Sequence, residues 1–313
     1  MPDDTPAQPF YLIVTDHGRG VFAVEGPMTP LLDLRVIRPA EERAAIYAMF
    51  TIVAMGAALN FSVPLYIQII QGRTPLETAI AMLPFNLTVF FAATLVVRVY
   101  QTFTPRQRGR YGFIICTVAL LWLAFVVHND WSAVALLVGL VVFGIGQGAL
   151  VTLVFNMLVT ASPKELASDV GSLRGTTQNL AAAVGTAVMA ALLVNLLSAM
   201  VLGSLAGNPV LTPEVQAEVD LDNINFVTND HLLSVMQGTS ATPEQLQEAV
   251  RINTDARLRA LKIGLLIMAS LSLLAIFPAG RLPDYKPGEI PANPPPPRDY
   301  GRVGMEPASA GET

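Results

Sequence analysis

The stretch that decides the fold is SAVALLVGLVVFGIGQGALVTLVFNML, residues 132–158, which contains no Asp, Glu, Lys or Arg. Crossing about 30 Å of hydrocarbon at about 1.5 Å per residue takes about 20 mostly apolar residues. Outward from this stretch, five further apolar stretches lie at 44–70, 76–97, 111–127, 174–202 and 260–280. Each is continuously apolar, whereas a barrel strand alternates over about 10 residues. The sequence therefore predicts an all-α integral membrane protein with six transmembrane helices.

Composition agrees with a membrane protein and excludes several other classes. Of the 313 residues, 52% are hydrophobic and 14% are charged, against about 25% charged residues in soluble domains. A net charge of −5 argues against a nucleic-acid partner, because a phosphate-binding face needs a basic excess. Cys116 is the one cysteine, which excludes an intramolecular disulfide and Cys-rich metal sites. We expect no cofactor and no metal.

The distribution of Lys and Arg predicts the orientation, since cytoplasmic loops keep these residues. Those on one side of the predicted spans are Arg35, Arg38, Arg43, Arg98, Arg106, Arg108, Arg110, Lys164, Arg281 and Lys286. Both ends of the chain are therefore predicted to be cytoplasmic, in the inner or plasma membrane. The predicted units are a cytoplasmic segment 1–43, five spans over 44–202, an acidic extracytoplasmic loop 203–259, a sixth span 260–280 and a Pro-rich disordered tail 281–313.

One segment of the acidic loop has the pattern of a short amphipathic helix. Thr242 is placed to cap it, with Pro243 at the first helical position. Apolar residues follow at Leu246, Val250 and Ile252. We expect this helix to rest on the membrane surface or on neighbouring spans.

Small residues recur inside the spans at helical spacing. Gly144, Gly146 and Gly148 form a Gly-x-Gly-x-Gly run, but the membrane sequence on both sides disfavours a phosphate-binding loop. Gly144 and Gly148, like Gly171 and Gly175, stand four residues apart on one helix face, which favours close helix packing. Gly185 is assigned the same role.

Polar side chains at membrane depth need partners, and charged ones there are candidate functional residues. Those in the predicted spans include Asn60, Gln68, Asn86, Gln147, Gln178, Asn179 and Asn195. Arg174 is interpreted either as an anchor that reaches the cytoplasmic interface or as a gate, with Asp169 just before the fifth span. Gln178 and Asn179 extend Arg174 into a polar stripe that either faces a cavity or bonds between helices.

Acidic groups and catalytic motifs are missing from the predicted membrane interior. Glu77 lies at an outer end and Asp169 before the fifth span, so no Asp or Glu lies deep in a span. A proton-coupled pathway needs a titratable group, which these spans do not supply. His-Glu-x-x-His and Gly-x-Ser-x-Gly are absent. The sequence predicts that the chain is not an enzyme.

Several segments taken in order resemble a known transporter pattern over residues 30–282. They are Pro30 to Arg35, Pro64 to Gln68 followed by Gly72, Pro75 and Leu76, Ala81 to Pro84, Gly144 to Gly148, and Gly171 to Leu180 leading to Gly185. With the long loop before the last span, this resembles the C-terminal six helices of a major facilitator superfamily permease of the fourteen-span drug:proton antiporter group.

The resemblance implies secondary active, proton-coupled efflux of drug-like or amphipathic small molecules by alternating access of two bundles. It also implies a missing N-terminal bundle of six to eight helices as partner. The implied cavity candidates are Asn60, Gln68, Asn86, Gln147, Gln178 and Asn179. Two alternatives stay open: a non-transporting membrane interaction subunit, and a truncated, inactive permease fragment.

Overall fold

The computed structural model describes residues 13–16, 22–25, 40–99, 103–128, 133–161, 167–206, 208–211, 226 and 228–282. The predicted Pro-rich tail, apart from its first two residues, and much of the segment 1–43 lie outside the described residues.

Six long helices and one short helix make up most of the described chain. They are α1 Ala40–Leu65, α2 Pro75–Val99, α3 Pro105–Val126, α4 Ala133–Ala161, α5 Ala167–Leu205, α6 Asn229–Met236 and α7 Pro243–Ala279. The π-helical turn Tyr66–Ile70 continues α1. All helices except α6 contain a segment long and apolar enough to cross a membrane. The predicted helical membrane fold with six spans is confirmed.

Two short strands precede the helices. Strand β1, Ile13–Asp16, pairs in antiparallel fashion with β2, Phe22–Glu25. Ile13 lies opposite Glu25, and Asp16 lies opposite Phe22. This hairpin was not predicted from the sequence and lies outside the membrane helices.

Two helices begin earlier than their apolar stretches indicate, because capping boxes define their first turns. Thr104 accepts from the Gln107 backbone N–H, and the Gln107 side chain accepts from the Thr104 N–H. The third span therefore begins at Pro105 rather than at residue 111. Thr242 and Gln245 form the same motif before α7. The predicted cap at Thr242 is confirmed, since such reciprocal bonds satisfy two exposed backbone donors.

The last helix is longer than predicted. The amphipathic segment after Thr242 and the sixth span form one helix of 37 residues, α7, which is about 55 Å long. The predicted boundary at residue 260 therefore falls inside α7. Ile252, in its polar first half, is buried with Leu205, Leu211 and Met236. This half packs on the end of α5 and on α6 instead of lying on a membrane surface.

The bundle core lies where α1, α3, α4 and α7 meet. Its fully buried side chains include Ile52, Leu59, Phe113, Leu140 and Phe143. The helix α2 packs mainly on α4, and α5 packs mainly on α1 and α7. Both helices are less buried than the others. In its apolar segment, 22% of α2 and 28% of α5 is buried inside the bundle, compared with 56% of α3.

Contacts at the helix ends establish how the helices run. Tyr66 donates to the His128 carbonyl at 2.9 Å, so α1 and α3 end on the same side. Arg106 donates to the Leu282 carbonyl at 3.1 Å, so α7 ends where α3 begins. We call that side the Arg-rich end. Its described charged side chains are Arg43, Arg106, Arg108, Arg110, Arg174 and Arg281.

Candidate functional site

Two of the predicted cavity residues meet at Gly56 in the middle of α1. Asn60 is exposed, and its Nδ2 donates to the Gly56 carbonyl at 2.9 Å. The Gln147 side chain extends from α4 across Gly56, where a Cβ atom would collide with its amide nitrogen. A side chain at this position would displace the Gln147 amide from its place against α1. The two polar side chains therefore share one location between α1 and α4.

The Gln147 amide oxygen is a hydrogen-bond acceptor without a described partner. This Oε1 atom is buried, and no donor among the described residues reaches it. A buried acceptor left unpaired costs about 1–3 kcal/mol. Such an atom can accept a hydrogen bond from a donor that enters between α1 and α4.

Asn86 lies at a similar depth on the neighbouring helix α2. Its Nδ2 donates to the Met82 carbonyl at 3.1 Å, and the side chain is exposed. A Cβ added at Gly148 of α4 would lie only 2.5 Å from the Val89 carbonyl of α2. Asn86 on α2 and Gln147 on α4 are therefore at a similar depth in the bundle. We call Asn60, Asn86 and Gln147 the mid-depth polar group. It presents amide donors and acceptors and no charge.

Gln178 and Asn179 are not part of this group. Gly185 of α5 packs directly on the backbone of Ala54 in α1, and the two helices run in the same direction. From that contact, Gln178 lies seven residues toward the Arg-rich end, about 10 Å away. Both side chains are exposed and share this part of α5 with the half-buried Arg174. Gln178 and Asn179 therefore lie at a different depth from the mid-depth polar group.

The remaining predicted residues lie near helix ends. Gln68 is half-buried in the π-helical turn, opposite the Arg-rich end. Asp169 lies at the beginning of α5, and its side chain is outside the described residues. Neither residue is brought to the mid-depth polar group.

The predicted packing glycines differ in their surroundings. A Cβ at Gly144 would lie 3.1 Å from the Phe85 carbonyl, so α4 approaches α2 closely there as at Gly148. Gly185 lies against the Ala54 backbone. A Cβ added at Gly171 or Gly175, in contrast, would have no described atom within 4 Å. The close packing expected at these two glycines has no counterpart in the described bundle.

Arg257 is a buried charged residue that the sequence analysis missed. Its side chain is 1% exposed. The guanidinium donates to the Ile69 carbonyl at 3.1 Å and to Asn229 Oδ1 at 2.5 Å. Asn253 Nδ2 donates to the same Asn229 oxygen at 3.3 Å. Arg257 therefore joins α7 to α6 and to the end of the π-helical turn.

A sequence signal for Arg257 was present. It lies with Arg259 just before the last apolar stretch, and Lys262 follows at the beginning of that stretch, on the side that the positive-inside rule leaves poor in basic residues. Basic side chains in that place need another explanation. For Arg257, the explanation is the C-terminal end of the π-helical turn, where exposed backbone carbonyls favour a cation.

No group of three or more His, Cys, Asp or Glu side chains that could hold a metal ion occurs among the residues that the structure describes. The described polar side chains at membrane depth are neutral amides and hydroxyls on a mostly apolar bundle.

Comparisons with known proteins identify the family. Residues 9–186, more than half of the chain, match the model of the Major Facilitator Superfamily. The chain is 25% identical over 254 residues to the multidrug resistance protein Stp of Mycobacterium tuberculosis, covering 80% of this chain and 46% of that protein. It is 24% identical over 161 residues to the multidrug efflux pump LfrA of Mycolicibacterium smegmatis, covering 51% and 32%.

A third relative is the tetracenomycin C resistance and export protein of Streptomyces glaucescens, 24% identical over 164 residues that cover 52% of this chain and 30% of that protein. The chain thus spans less than half the length of the curated relatives it matches. This family and these relatives are transporters, which confirms the prediction that the chain is not an enzyme. With its six apolar helices, the chain is an integral membrane protein that belongs to the Major Facilitator Superfamily.

Proposed function

We propose that the chain is one six-helix bundle of a secondary transporter that exports drug-like or amphipathic small molecules by alternating access. The observation that carries the proposal is the mid-depth polar group, which places amides halfway across an otherwise apolar bundle. The printed names of the relatives, which describe multidrug resistance and export, support the substrate class. Neutral amides on apolar helices suit substrates with large apolar surfaces and few hydrogen-bonding groups.

The second wall of the cavity is proposed to be another bundle of six to eight helices. The low burial of α2 and α5 supports this, because most of the apolar surface of each helix is not covered by the described bundle. The length of the relatives supports it as well. We infer the arrangement of the fourteen-span drug:proton antiporter group, with this chain as its C-terminal bundle and the second bundle in the same or a separate polypeptide.

Proton coupling is proposed to depend on that second bundle. Between residues 44 and 202 the acidic residues are Glu77, Asp130, Glu165 and Asp169, all at helix ends or in connections. A proton-coupled pathway needs a titratable group within the membrane. We therefore assign the coupling carboxylate to the partner bundle.

The Arg-rich end is proposed to face the cytoplasm of the cell membrane. Arg43, Arg106, Arg110 and Arg281 lie at this end, and cytoplasmic loops retain basic residues. The described acidic residues of α6 and the first half of α7, such as Asp230 and Glu248, lie at the other end. In this orientation the two termini are cytoplasmic.

The experiment that tests the transport role compares asparagine substitutions in the assembled transporter. Replacing both Asn60 and Asn86 by Ala is expected to slow efflux by about tenfold or more, since each lost hydrogen bond to substrate is worth about 1 kcal/mol. Efflux of a fluorescent amphipathic compound from cells is the measurement, with protein level checked by blotting. Gln178→Ala with Asn179→Ala tests the second polar location in the same assay.

Asn195→Ala is the matched control for these variants. Asn195 is also exposed, and its Nδ2 donates to the Ala191 carbonyl of its own helix at 2.7 Å, the bonding pattern of Asn60. It lies ten residues beyond Gly185, away from the mid-depth polar group. Unchanged efflux in the Asn60 and Asn86 double variant, at a normal protein level, would exclude a substrate role for these residues.

A second candidate function is a non-transporting subunit that binds another permease, or an inactive permease fragment. The open small-residue face at Gly171 and Gly175 favours the subunit, since such faces allow close helix approach. Uptake of substrate into liposomes by the purified chain alone would exclude both versions.

A further inference from the structure

The three amides of the mid-depth polar group belong to one opening in the bundle. The helices α1 and α2 both pack on α4, whereas the described residues of α1 and α2 have little direct contact with each other. The opening between α1 and α2 therefore has α4 as its floor. Asn60 is exposed on the α1 side and Asn86 on the α2 side, and Gln147 extends from the floor across Gly56.

Asn60 and Asn86 lie at nearly the same depth in this opening. Asn60 is four residues beyond Gly56, so it lies about 6 Å along α1 from the level of Gln147. Asn86 is level with Gly144 of α4, against which the preceding carbonyl of α2 packs, about 4.5 Å from Gln147. Both displacements lead away from the Arg-rich end, because α1 runs opposite to α4 and α2 runs parallel to α4. One small molecule can therefore reach all three amides.

The amide nitrogen of each asparagine already has a backbone partner. Asn60 Nδ2 donates to the Gly56 carbonyl at 2.9 Å, and Asn86 Nδ2 donates to the Met82 carbonyl at 3.1 Å. Since only the nitrogen of an amide can donate to a carbonyl, these bonds also identify the oxygen of each side chain. Among the described residues, no donor reaches either Oδ1 atom. Both lone pairs of each Oδ1 are available to a ligand.

Two further oxygens add to the acceptor capacity of the opening. Gln147 Oε1 is buried and has no donor among the described residues. Pro64 has no N–H, so the Asn60 carbonyl lacks the donor that an α-helix supplies four residues further on. The stretches 44–70, 76–97 and 132–158 contain no Lys or Arg that could supply a competing donor. The opening therefore offers mainly hydrogen-bond acceptors.

We propose that the mid-depth polar group selects substrates that carry a hydrogen-bond donor, an N–H or O–H group, over substrates whose polar atoms only accept. A site built to bond a substrate N–H or O–H rejects an analogue without it, because buried polar groups are then left unpaired. Gly56 is the positioning residue of this selection, since a Cβ there would collide with the Gln147 amide. The inference rests on the proposed function and names the chemistry of the exported compounds.

The test is a competition experiment in cells that contain the full chain in the assembled transporter. Two neutral naphthalenesulfonamides are compared, the N-pentyl compound, which has an N–H, and the N-butyl-N-methyl compound, which has none. They are isomers with the same sulfonyl acceptors, so their size and apolar surface are matched. The measurement is the concentration of each isomer that halves efflux of a fluorescent amphipathic compound. The N–H isomer is expected to act at an about fivefold lower concentration, the factor that one hydrogen bond contributes.

Substitutions locate the acceptors that produce this preference. Gln147→Leu, and the double variant Asn60→Leu with Asn86→Leu, are each expected to reduce the fivefold preference to about twofold or less. Gly56→Ala is expected to reduce it as well, by displacing the Gln147 amide. Asn195→Leu removes an exposed amide with the same bond within its own helix and is expected to retain the preference.

The preference is a ratio measured within each variant, so a lower protein level or slower overall efflux does not change it. Where Gln147→Leu abolishes efflux, Gly56→Ala and the double asparagine variant supply the same comparison.

The possible outcomes separate this inference from the proposed function. Equal competition by the two isomers in the unmodified transporter, or no competition by the N–H isomer, would overturn the inference and leave the export role in place. A preference that persists in the Gln147, Gly56 and double asparagine variants would place the acceptor elsewhere. Absence of efflux of the fluorescent compound itself would contradict the proposed function, and the inference with it.

Discussion

Arg257 shows how one side chain can organise an end of the bundle. Its guanidinium replaces water at the Ile69 carbonyl, where the π-helical turn leaves a backbone acceptor exposed. The same group bonds to Asn229 at the beginning of α6. Burying a cation without such acceptors costs free energy. The acceptors therefore stabilise the buried Arg257, and Arg257 in turn holds α6 and the π-helical turn in place.

Replacing Arg257 by Ala is expected to lower the free energy of unfolding by about 2–4 kcal/mol, because it removes the guanidinium donors from the Ile69 carbonyl and from Asn229 Oδ1 and opens a void. The measurement is the melting temperature in detergent from the reaction of a thiol probe with Cys116. This cysteine is the one thiol of the chain and is buried, so it reacts only on opening.

Arg259→Ala is the control for this prediction. Arg259 is exposed and lies two residues further along α7, and its removal is expected to change the free energy of unfolding by less than about 0.5 kcal/mol. Equal melting temperatures for the two variants would contradict the role assigned to Arg257.

At the residue scale, sequence reasoning found the polar side chains but not their partners. Asn60 and Asn86 stand out because amides are rare in apolar stretches, and each bonds within its own helix, four residues away. Arg257 was missed because its partners Asn229 and Ile69 are 28 and 188 residues distant in the chain. A single sequence carries no information on such distant pairs.

At the scale of the helices, α5 contains two kinds of glycine that sequence spacing does not distinguish. Gly185 permits α5 to pack on the α1 backbone at Ala54, whereas Gly175 has open space around it. Both are small residues in one apolar helix, and the same substitution at each is expected to have opposite consequences. Close approach of two backbones, and not the small residue itself, makes a packing site.

Gly185→Ala is expected to destabilise the bundle by about 1–3 kcal/mol, because the added methyl group meets backbone atoms that cannot move aside without separating α1 from α5. Gly175→Ala is expected to be neutral or to stabilise by at most about 1 kcal/mol, through its higher helix propensity. Melting temperatures from Cys116 reactivity distinguish the two. A Gly185→Ala variant as stable as Gly175→Ala would show that the close contact is absent.

Apolar length predicted the number and order of the membrane helices, and it failed where a helix continues into polar sequence. The first half of α7 carries Glu244, Glu248, Arg251 and Asp255, which resemble loop composition. They remain helical because the capping box at Thr242 begins the helix and Ile252 packs on the end of α5. Tertiary contact therefore determined a boundary that hydropathy could not.

At the scale of the whole molecule, the helices differ in how much of their surface the bundle buries. The helices α1 and α3 supply much of the core, whereas α2 and α5 expose long apolar faces that include Phe90, Phe91 and Val184. Lipid covers part of such faces in any membrane protein. The mid-depth polar group lies on α1, α2 and α4, which is why we infer a second bundle opposite it rather than lipid alone.

The central claim is that this bundle works with a second one, and the composition of the native particle tests it most directly. The product is isolated from source membranes in mild detergent with an antibody against residues 294–313, and the intact masses of all its polypeptides are measured. We predict a second membrane unit of at least six helices, within one chain larger than 33.5 kDa or as a separate polypeptide beside a chain of 33.5 kDa. A chain of 33.5 kDa with no accompanying membrane protein, which exports substrate when reconstituted, would contradict the claim.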